Sequence, residues 1–291
     1  MATSGSEPVS ERNGVFISVD MEGMAGVVHL HQVMRGTPEY ERSCRLMTAE
    51  TNAAVAGARR AGATRFVVND SHGDMRNFLL DEMDDAVEVI SGADKPYSMG
   101  AGLDPTFEVA FFVGYHAPVG TERAIMDHTY GGRTVYALRI NGRPQSEASL
   151  NAALAGTFGV RSALITGDRA TIEEAMAELA GIEGVVVKDA LGRQAARSLH
   201  PAEACRRIEV GAYRAYADQA KRPLYQPAGP FTLEIDWMNA SMADLCAQLP
   251  DVERAGGRTS RYRTADFQTC YRMLLALLGM AAPAAYQYPR P

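Results

Sequence analysis

Apolar and polar positions along the chain follow two alternating patterns. Short runs of bulky β-branched and aromatic residues recur at Val15-Phe16-Ile17, Phe66-Val67-Val68 and Val89-Ile90, and the longest covers residues 109–115. Unbroken runs of this kind suit strands covered on both faces. Between them lie helical stretches: an Ala-rich one over 41–61 that stops at Gly62, then 147–158 and 172–179. Further strands are expected over 162–166 and 185–187. Residues 134–140 alternate ahead of an Asn141-Gly142 turn signal and are grouped with the same unit. The pattern predicts an α/β fold: a three-layer α/β/α domain over 15–190 with a mainly parallel sheet and right-handed crossovers.

Beyond residue 190 the pattern changes. Residues 201–219 read as a helix, and 223–230, with three prolines, as a loop. Residues 231–237 alternate as an antiparallel strand would, with Thr232, Glu234 and Asp236 on one face and 258–263 as the expected partner. A last helix is expected over 267–280. A smaller α+β domain is therefore expected over 191–291, its last helix free to pack on the first domain. Residues 1–14, small and polar, read as a disordered tail.

Composition narrows the function classes. The 291 residues are 46% hydrophobic and 22% charged, ordinary for a globular protein. A net charge of -6, with no basic run interleaved with aromatics, argues against a nucleic-acid partner. No segment approaches the roughly 20 apolar residues of a membrane helix. The first residues lack the apolar core of a secretory signal. Cys44, Cys205, Cys246 and Cys270 have neither metal-ligand nor redox spacing, so reduced thiols and a cytoplasmic location are expected.

The chemistry-bearing residues follow the strands. Ser18-Val19-Asp20-Met21-Glu22-Gly23 succeeds the first apolar run, and on an extended chain Asp20 and Glu22 share a face. Two carboxylates held so close repel unless a cation lies between them; the bland alternative is a solvated acidic turn. Asn69-Asp70-Ser71-His72 follows the second strand, and Gly114-Tyr115-His116 ends the long one. Met126-Asp127-His128 lies in the next connection, and Glu147 opens a helix. Singly, each has a structural explanation: a satisfied core or surface histidine, a turn aspartate, or a helix-start charge favoured by the dipole. His29, His31 and His200 lie at no expected strand end and are taken as structural or surface residues. The others gather at the carboxyl ends of strands, where sheets of this kind bind ligands. Two imidazoles and three carboxylates suit zinc, with manganese or cobalt as substitutes. Five ligands suffice for two ions if one carboxylate bridges them.

Taken in order, these segments, with Leu150-Asn151-Ala152 after Glu147 and Ile90-Ser91-Gly92 and Lys95-Pro96-Tyr97-Ser98-Met99 between the second and third, resemble the zinc-dependent D-aminopeptidase family, once named dipeptide transport proteins. The similarity runs from about Phe16 toward the C-terminal region and is densest before residue 170. The resemblance implies two zinc ions per subunit. Asp20 would bridge them, Glu22 and His72 would complete one, and His116 and Glu147 the other. His128 matches the family's catalytic histidine, acting as base, acid or nucleophile. The resemblance also implies release of N-terminal D-residues, typically D-Ala, from short peptides, and a homodecamer of stacked rings enclosing the sites.

Two positions depart from the family pattern. Asp127 stands where serine is usual, and Ser146 where glycine is usual. Asp127 is expected either to hold a substrate ammonium group or, more simply, to be exposed or to orient His128. Gly23 is expected to let the chain turn sharply away from the metals. Competing functions are a hydrolase of the same fold acting on another small amide, a non-catalytic dipeptide-binding protein, and a phosphatase-type dinuclear enzyme. The missing secretory signal and the ligand set weigh against the binding protein. The lack of a glycine-rich phosphate cradle weighs against the phosphatase.

Overall fold

The computed structural model describes residues 12–286. Along it run β1 (Gly14–Val19), α1 (Leu30–Val33), α2 (Tyr40–Arg60), β2 (Arg65–Asp70), β3 (Val87–Ile90), β4 (Phe107–Tyr115), β5 (Val135–Ile140), β6 (Arg143–Pro144), α3 (Glu147–Thr157), β7 (Arg161–Asp168), α4 (Arg169–Glu178), β8 (Glu183–Gly192), β9 (Ala195–Ser198), α5 (Pro201–Ala217), β10 (Phe231–Trp237), α6 (Ala240–Cys246), β11 (Glu253–Arg254), β12 (Thr259–Thr264) and α7 (Phe267–Ala281). Residues 1–11 of the expected tail lie outside the described residues, while Gly14 belongs to β1.

Seven strands form the larger sheet in the order β3-β2-β1-β4-β7-β8-β9. All neighbours are parallel except β8 and β9, which form an antiparallel hairpin. The chain first steps from β1 to β2 and β3, then crosses back to the other side of β1 for β4. That reversal is a topological switch point between β1 and β4, where the loops leaving adjacent strands part and leave a crevice. Alternate residues fill opposite faces. Val15, Ile17 and Val19 of β1, with Val109, Phe111 and Val113 of β4, pack beneath α2 and α5. Phe16, Ala110 and Phe112 face α3 and α4. Burial on both faces explains why these strands read as continuous apolar runs.

The five-stranded sheet, β11-β12-β10-β5-β6, is antiparallel. Its existence, and the pairing of β10 with β12, follow the expected pattern. Two segments fall on the other side of the expected boundary near residue 191. β5, grouped with the parallel sheet, pairs with β10 instead. The physical reason lies in its burial: Leu138 and Ile140 are buried, while Ala137 and Arg139 on the other face are only partly buried, the mark of a sheet open on one face. Asn141 and Gly142, both with positive φ (52° and 77°), turn the chain straight back into β6, its antiparallel neighbour. Conversely α5, grouped with the smaller unit, packs on α2 over the larger sheet. One apolar cluster runs from the larger sheet through α3 and α7 to the smaller one, so the last helix does pack back on the first unit. Among the described residues no helix is long and apolar enough to cross a membrane.

Candidate metal centre

The crevice collects the five expected ligands. Asp20 and Glu22 leave the end of β1, His72 the end of β2, and His116 the end of β4, three adjacent strands. Glu147 is the first residue of α3, which Ser146 caps by accepting the Ser149 N–H at 3.1 Å. That cap accounts for serine at 146 without calling on substrate. All five side chains are buried, and buried charges persist only when paired or bound to metal.

Asp20 sits at the middle. Its Oδ1 lies 3.0 Å from Nδ1 of His72, and its Oδ2 3.3 Å from Nε2 of His116. Glu22 Oε2 is 2.9 Å from the same His72 nitrogen, and Glu147 Oε2 is 3.5 Å from the same His116 nitrogen. The far nitrogen of each ring is tied to a backbone carbonyl: Nε2 of His72 to Val33 at 2.8 Å, and Nδ1 of His116 to Ala117 at 3.0 Å. With the outer nitrogens donating to those carbonyls, each inner nitrogen faces carboxylate oxygens and can hold either a proton or a metal ion. One shared proton cannot satisfy each such group, and Glu22 Oε2 and His116 Nε2 are left without a hydrogen bond. Orienting a ligand imidazole through its second nitrogen is usual at metal sites. The donor set and its unpaired inner atoms therefore fit two divalent cations, in the groups Asp20, Glu22, His72 and His116, His128, Glu147.

Residues around the cluster hold the loops in place. A Cβ on Gly23 would run into the backbone of Gly114 and Tyr115, and one on Gly114 (φ 71°) would meet the Asp20 carbonyl. Gly23 thus serves close approach between two strand ends rather than a turn away from the metals. Gly23→Ala is expected to destabilise the metal-free chain by about 1–3 kcal/mol through overpacking; an unchanged denaturation midpoint would contradict this. Lys188, buried on β8, donates to the carbonyls of Glu22, Met24 (2.9 Å) and Val27 (2.5 Å). Glu50 of α2 accepts from the Ala25 N–H at 2.8 Å. Burial lowers the Lys188 ammonium to about 8 and raises the Glu50 carboxyl to about 7. A lone lysine after Val185-Val186-Val187 was the available sequence signal. Asp70 ties down the loop after His72, accepting from Asn77 N–H at 2.5 Å and its Nδ2 at 2.7 Å. Beneath the site, hydroxyls and an amide link Tyr130, Tyr271, Asn151, Tyr115, Ser18 and Ser71 in an unbroken hydrogen-bonded chain.

His128 lies on the pocket wall. Its ring stacks on His116 at 3.9 Å, and its Nδ1 donates to the Met126 carbonyl at 2.8 Å. Its Nε2 is 3.9 Å from Glu147 Oε1, so it stands at the edge of the second ligand group, and its side chain is 19% exposed against 1% for His116. Asp127 does not face the pocket: its carboxylate binds Arg193 at 2.7 Å and the Gly120 N–H at 2.7 Å. The carboxylate is thus committed to protein partners, which disfavours the substrate-ammonium alternative. His29 and His200 cap the starts of α1 and α5, and exposed His31 packs against His29. The cavity above the ligands measures about 610 Å³, and its outer wall is apolar, with Leu275, Leu278 and Ala282.

The electrostatics of the cluster are those of carboxylates competing for positive charge. Burial disfavours charge on every group, yet Glu22 beside His72 lifts that imidazole well above its ordinary value, and Glu147 does the same for His116, with Asp20 helping both. Burial and the neighbouring Glu22 raise the Asp20 carboxyl. In the metal-free protein, protons on His72 and His116 stand in for metal. Because their folded values are raised, that stabilisation is fully present below the unfolded value near ~6.5 and is lost as pH rises through the folded values. A metal requires the same nitrogens unprotonated. Metal-free protein is therefore expected to melt at lower temperature as pH increases, while the rise in Tm on adding zinc grows. Thermal melts at several pH values check this; a zinc-induced shift independent of pH would contradict it.

Comparison with known proteins identifies the family. The sequence profile of the D-aminopeptidase family matches residues 14–276. A D-aminopeptidase of Bacillus subtilis (strain 168) is 34% identical over 276 residues, 94% of this chain and 99% of the relative. A solved structure, the Zn-dependent D-aminopeptidase DppA from Bacillus subtilis, described as a self-compartmentalizing protease, superposes with a TM-score of 0.89 at 32% identity, covering 92% of this chain and 98% of its own. With the family profile, the fold and near full-length similarity in agreement, the chain belongs to the D-aminopeptidase family of metallo-aminopeptidases.

Proposed function

We propose that the protein is a dinuclear zinc aminopeptidase that releases N-terminal D-residues, D-Ala above all, from short peptides. The observation that carries this reading is the division of Asp20, whose two oxygens address His72 on one side and His116 on the other. Glu22 and His72 would complete one metal position, and His116 and Glu147 the other. Ions held there supply Lewis acidity toward the scissile carbonyl and make a water molecule more acidic.

The chain's own residues do the rest. His128 presents Nε2 to the pocket with Nδ1–H committed to the Met126 carbonyl, so the free nitrogen can take a proton and later return it to the leaving amine. Its stack on His116 supports a proton transfer beside the proposed second metal position. A cavity of about 610 Å³ matches a short peptide and excludes a folded chain. Leu275 and Leu278 would receive small apolar side chains. The Bacillus subtilis relative is described as self-compartmentalizing; assembly of this chain into a homodecamer that encloses its sites is the matching proposal, tested by the mass of the particle.

The test of the function is hydrolysis of D-Ala-D-Ala against its L,L counterpart and simple amides, with metal content measured on the same preparation. Release of the N-terminal residue from the D-peptide alone, abolished by a chelator and restored by zinc, is expected. Preferred turnover of the L-peptide would overturn the D-selectivity, and preferred turnover of a simple amide would replace the peptide assignment with another amidohydrolase.

A further inference from the structure

His128 is carried by a segment without regular structure between β4 and β5. Three residues of that segment other than glycine have left-handed backbone: Arg123 (φ 53°), Met126 (φ 47°) and Tyr130 (φ 59°). Residues with a Cβ rarely adopt this conformation, and it persists only where the surroundings leave no alternative. Met126 matters most, because its carbonyl holds the His128 ring.

The surroundings at that point are the two-residue turn of the β8–β9 hairpin. Arg193 grips the segment three times. Its carbonyl accepts the Met126 N–H at 2.9 Å. Its Nε donates to Asp127 Oδ1 at 2.7 Å. Its Nη2 donates to the Asp127 carbonyl at 3.0 Å. The other carboxylate oxygen of Asp127 accepts the Gly120 N–H at 2.7 Å, closing the loop on itself. The peptide units immediately before His128 are therefore held by a turn far away in sequence, and Asp127 is the shared handle. The ion pair is half open to solvent, with the Arg193 side chain 51% exposed and Asp127 14%. A pair so exposed adds little to global stability, so its geometric effect on the neighbouring histidine is the larger one.

We propose that Arg193, acting through Asp127, is a positioning residue that sets the backbone and ring orientation of His128 for proton transfer. This rests on the reading of His128 as the group that moves the proton. The aspartate at 127 is then part of a clamp with no contact to substrate. The guanidinium engages a carboxylate and a carbonyl at once, which a lysine ammonium reproduces only in charge.

The experiment compares Arg193→Ala, Arg193→Lys, Asp127→Asn and His128→Ala for kcat and KM on a D-Ala dipeptide, with zinc content and Tm measured on each. Arg193→Ala is expected to lower kcat by between about 10-fold and 100-fold, in line with a small misplacement of a reacting group. KM, zinc content and Tm should stay near wild type. Arg193→Lys should recover part of the loss. Combining Asp127→Asn with Arg193→Ala should cost no more than the worse single change, because both remove one clamp. A crystal structure of Arg193→Ala should show the His128 ring displaced from its stack on His116. Unchanged kcat in Arg193→Ala, alongside an inactive His128→Ala, overturns the clamp while leaving His128 in place. A kcat loss that follows zinc loss or a fall in Tm overturns it in favour of a structural role. Full turnover in His128→Ala removes the reading beneath it, and the clamp with it.

Discussion

His128→Ala is expected to keep two zinc ions per chain and to lose roughly 10²–10⁴-fold in kcat, the range typical of a positioned proton-transfer group. The ring contributes in two ways. Its Nε2 faces the cavity while Nδ1 lies 2.8 Å from the Met126 carbonyl, an arrangement that holds the ring through one nitrogen and leaves the other toward the cavity. It also lies flat on His116, which places the free nitrogen against the second ligand group. Because that nitrogen is 3.9 Å from Glu147, ligation and proton transfer make opposite predictions for metal content. Retained zinc with lost turnover supports proton transfer; loss of one ion from His128→Ala would make the residue a ligand. Elemental analysis with steady-state kinetics on the same sample separates them.

Asp20→Asn is expected to bind at most one zinc ion and to lose turnover altogether. The substitution preserves volume but replaces one anionic oxygen with an NH₂ group, which cannot ligate. Only one side of Asp20 can then be served, either toward His72 or toward His116. The loss of metal affinity should exceed the 10–100-fold that follows removal of a hydrogen-bonding partner outside the ligand sphere. A control distinguishes this from damage to the fold. Burial and the nearby Glu22 raise the Asp20 carboxyl in the metal-free protein, so its charge is a net cost there. Metal-free Asp20→Asn should therefore be at least as stable as metal-free wild type. A clear fall in its Tm would mean that Asp20 has a structural role apart from metal.

The clustering of the candidate ligands was legible in the sequence for a physical reason. β1, β2 and β4 are buried on both faces, so they stand out as apolar runs, and a parallel sheet delivers whatever follows such runs to one edge. Asp20, His72 and His116 needed no knowledge of long-range pairing to be placed together. Glu147 was legible because it begins a helix directly after a turn signal. What stayed hidden depends on partners distant in sequence. The alternation of β5 marked a strand but said nothing of β10, 91 residues or more away at the Asn141–Thr232 contact. α5 has an apolar face that fits either sheet. The cage around Lys188 is made of backbone carbonyls, which no side-chain pattern announces. Asp127 drew attention as a departure from the family pattern, but its meaning lay in Arg193, 66 positions on. Gly23 was read as a turn because a glycine after a strand usually is one; here it clears space for the Tyr115 carbonyl.

The central claim is that Asp20 joins two metal positions. Anomalous diffraction at the zinc edge, on crystals of zinc-loaded protein, tests it most directly. Two peaks about 3.5–4 Å apart are expected, one ligated by Glu22 and His72, the other by His116 and Glu147, with Asp20 reaching both. A single peak, or two peaks of which only one touches Asp20, would contradict the dinuclear reading.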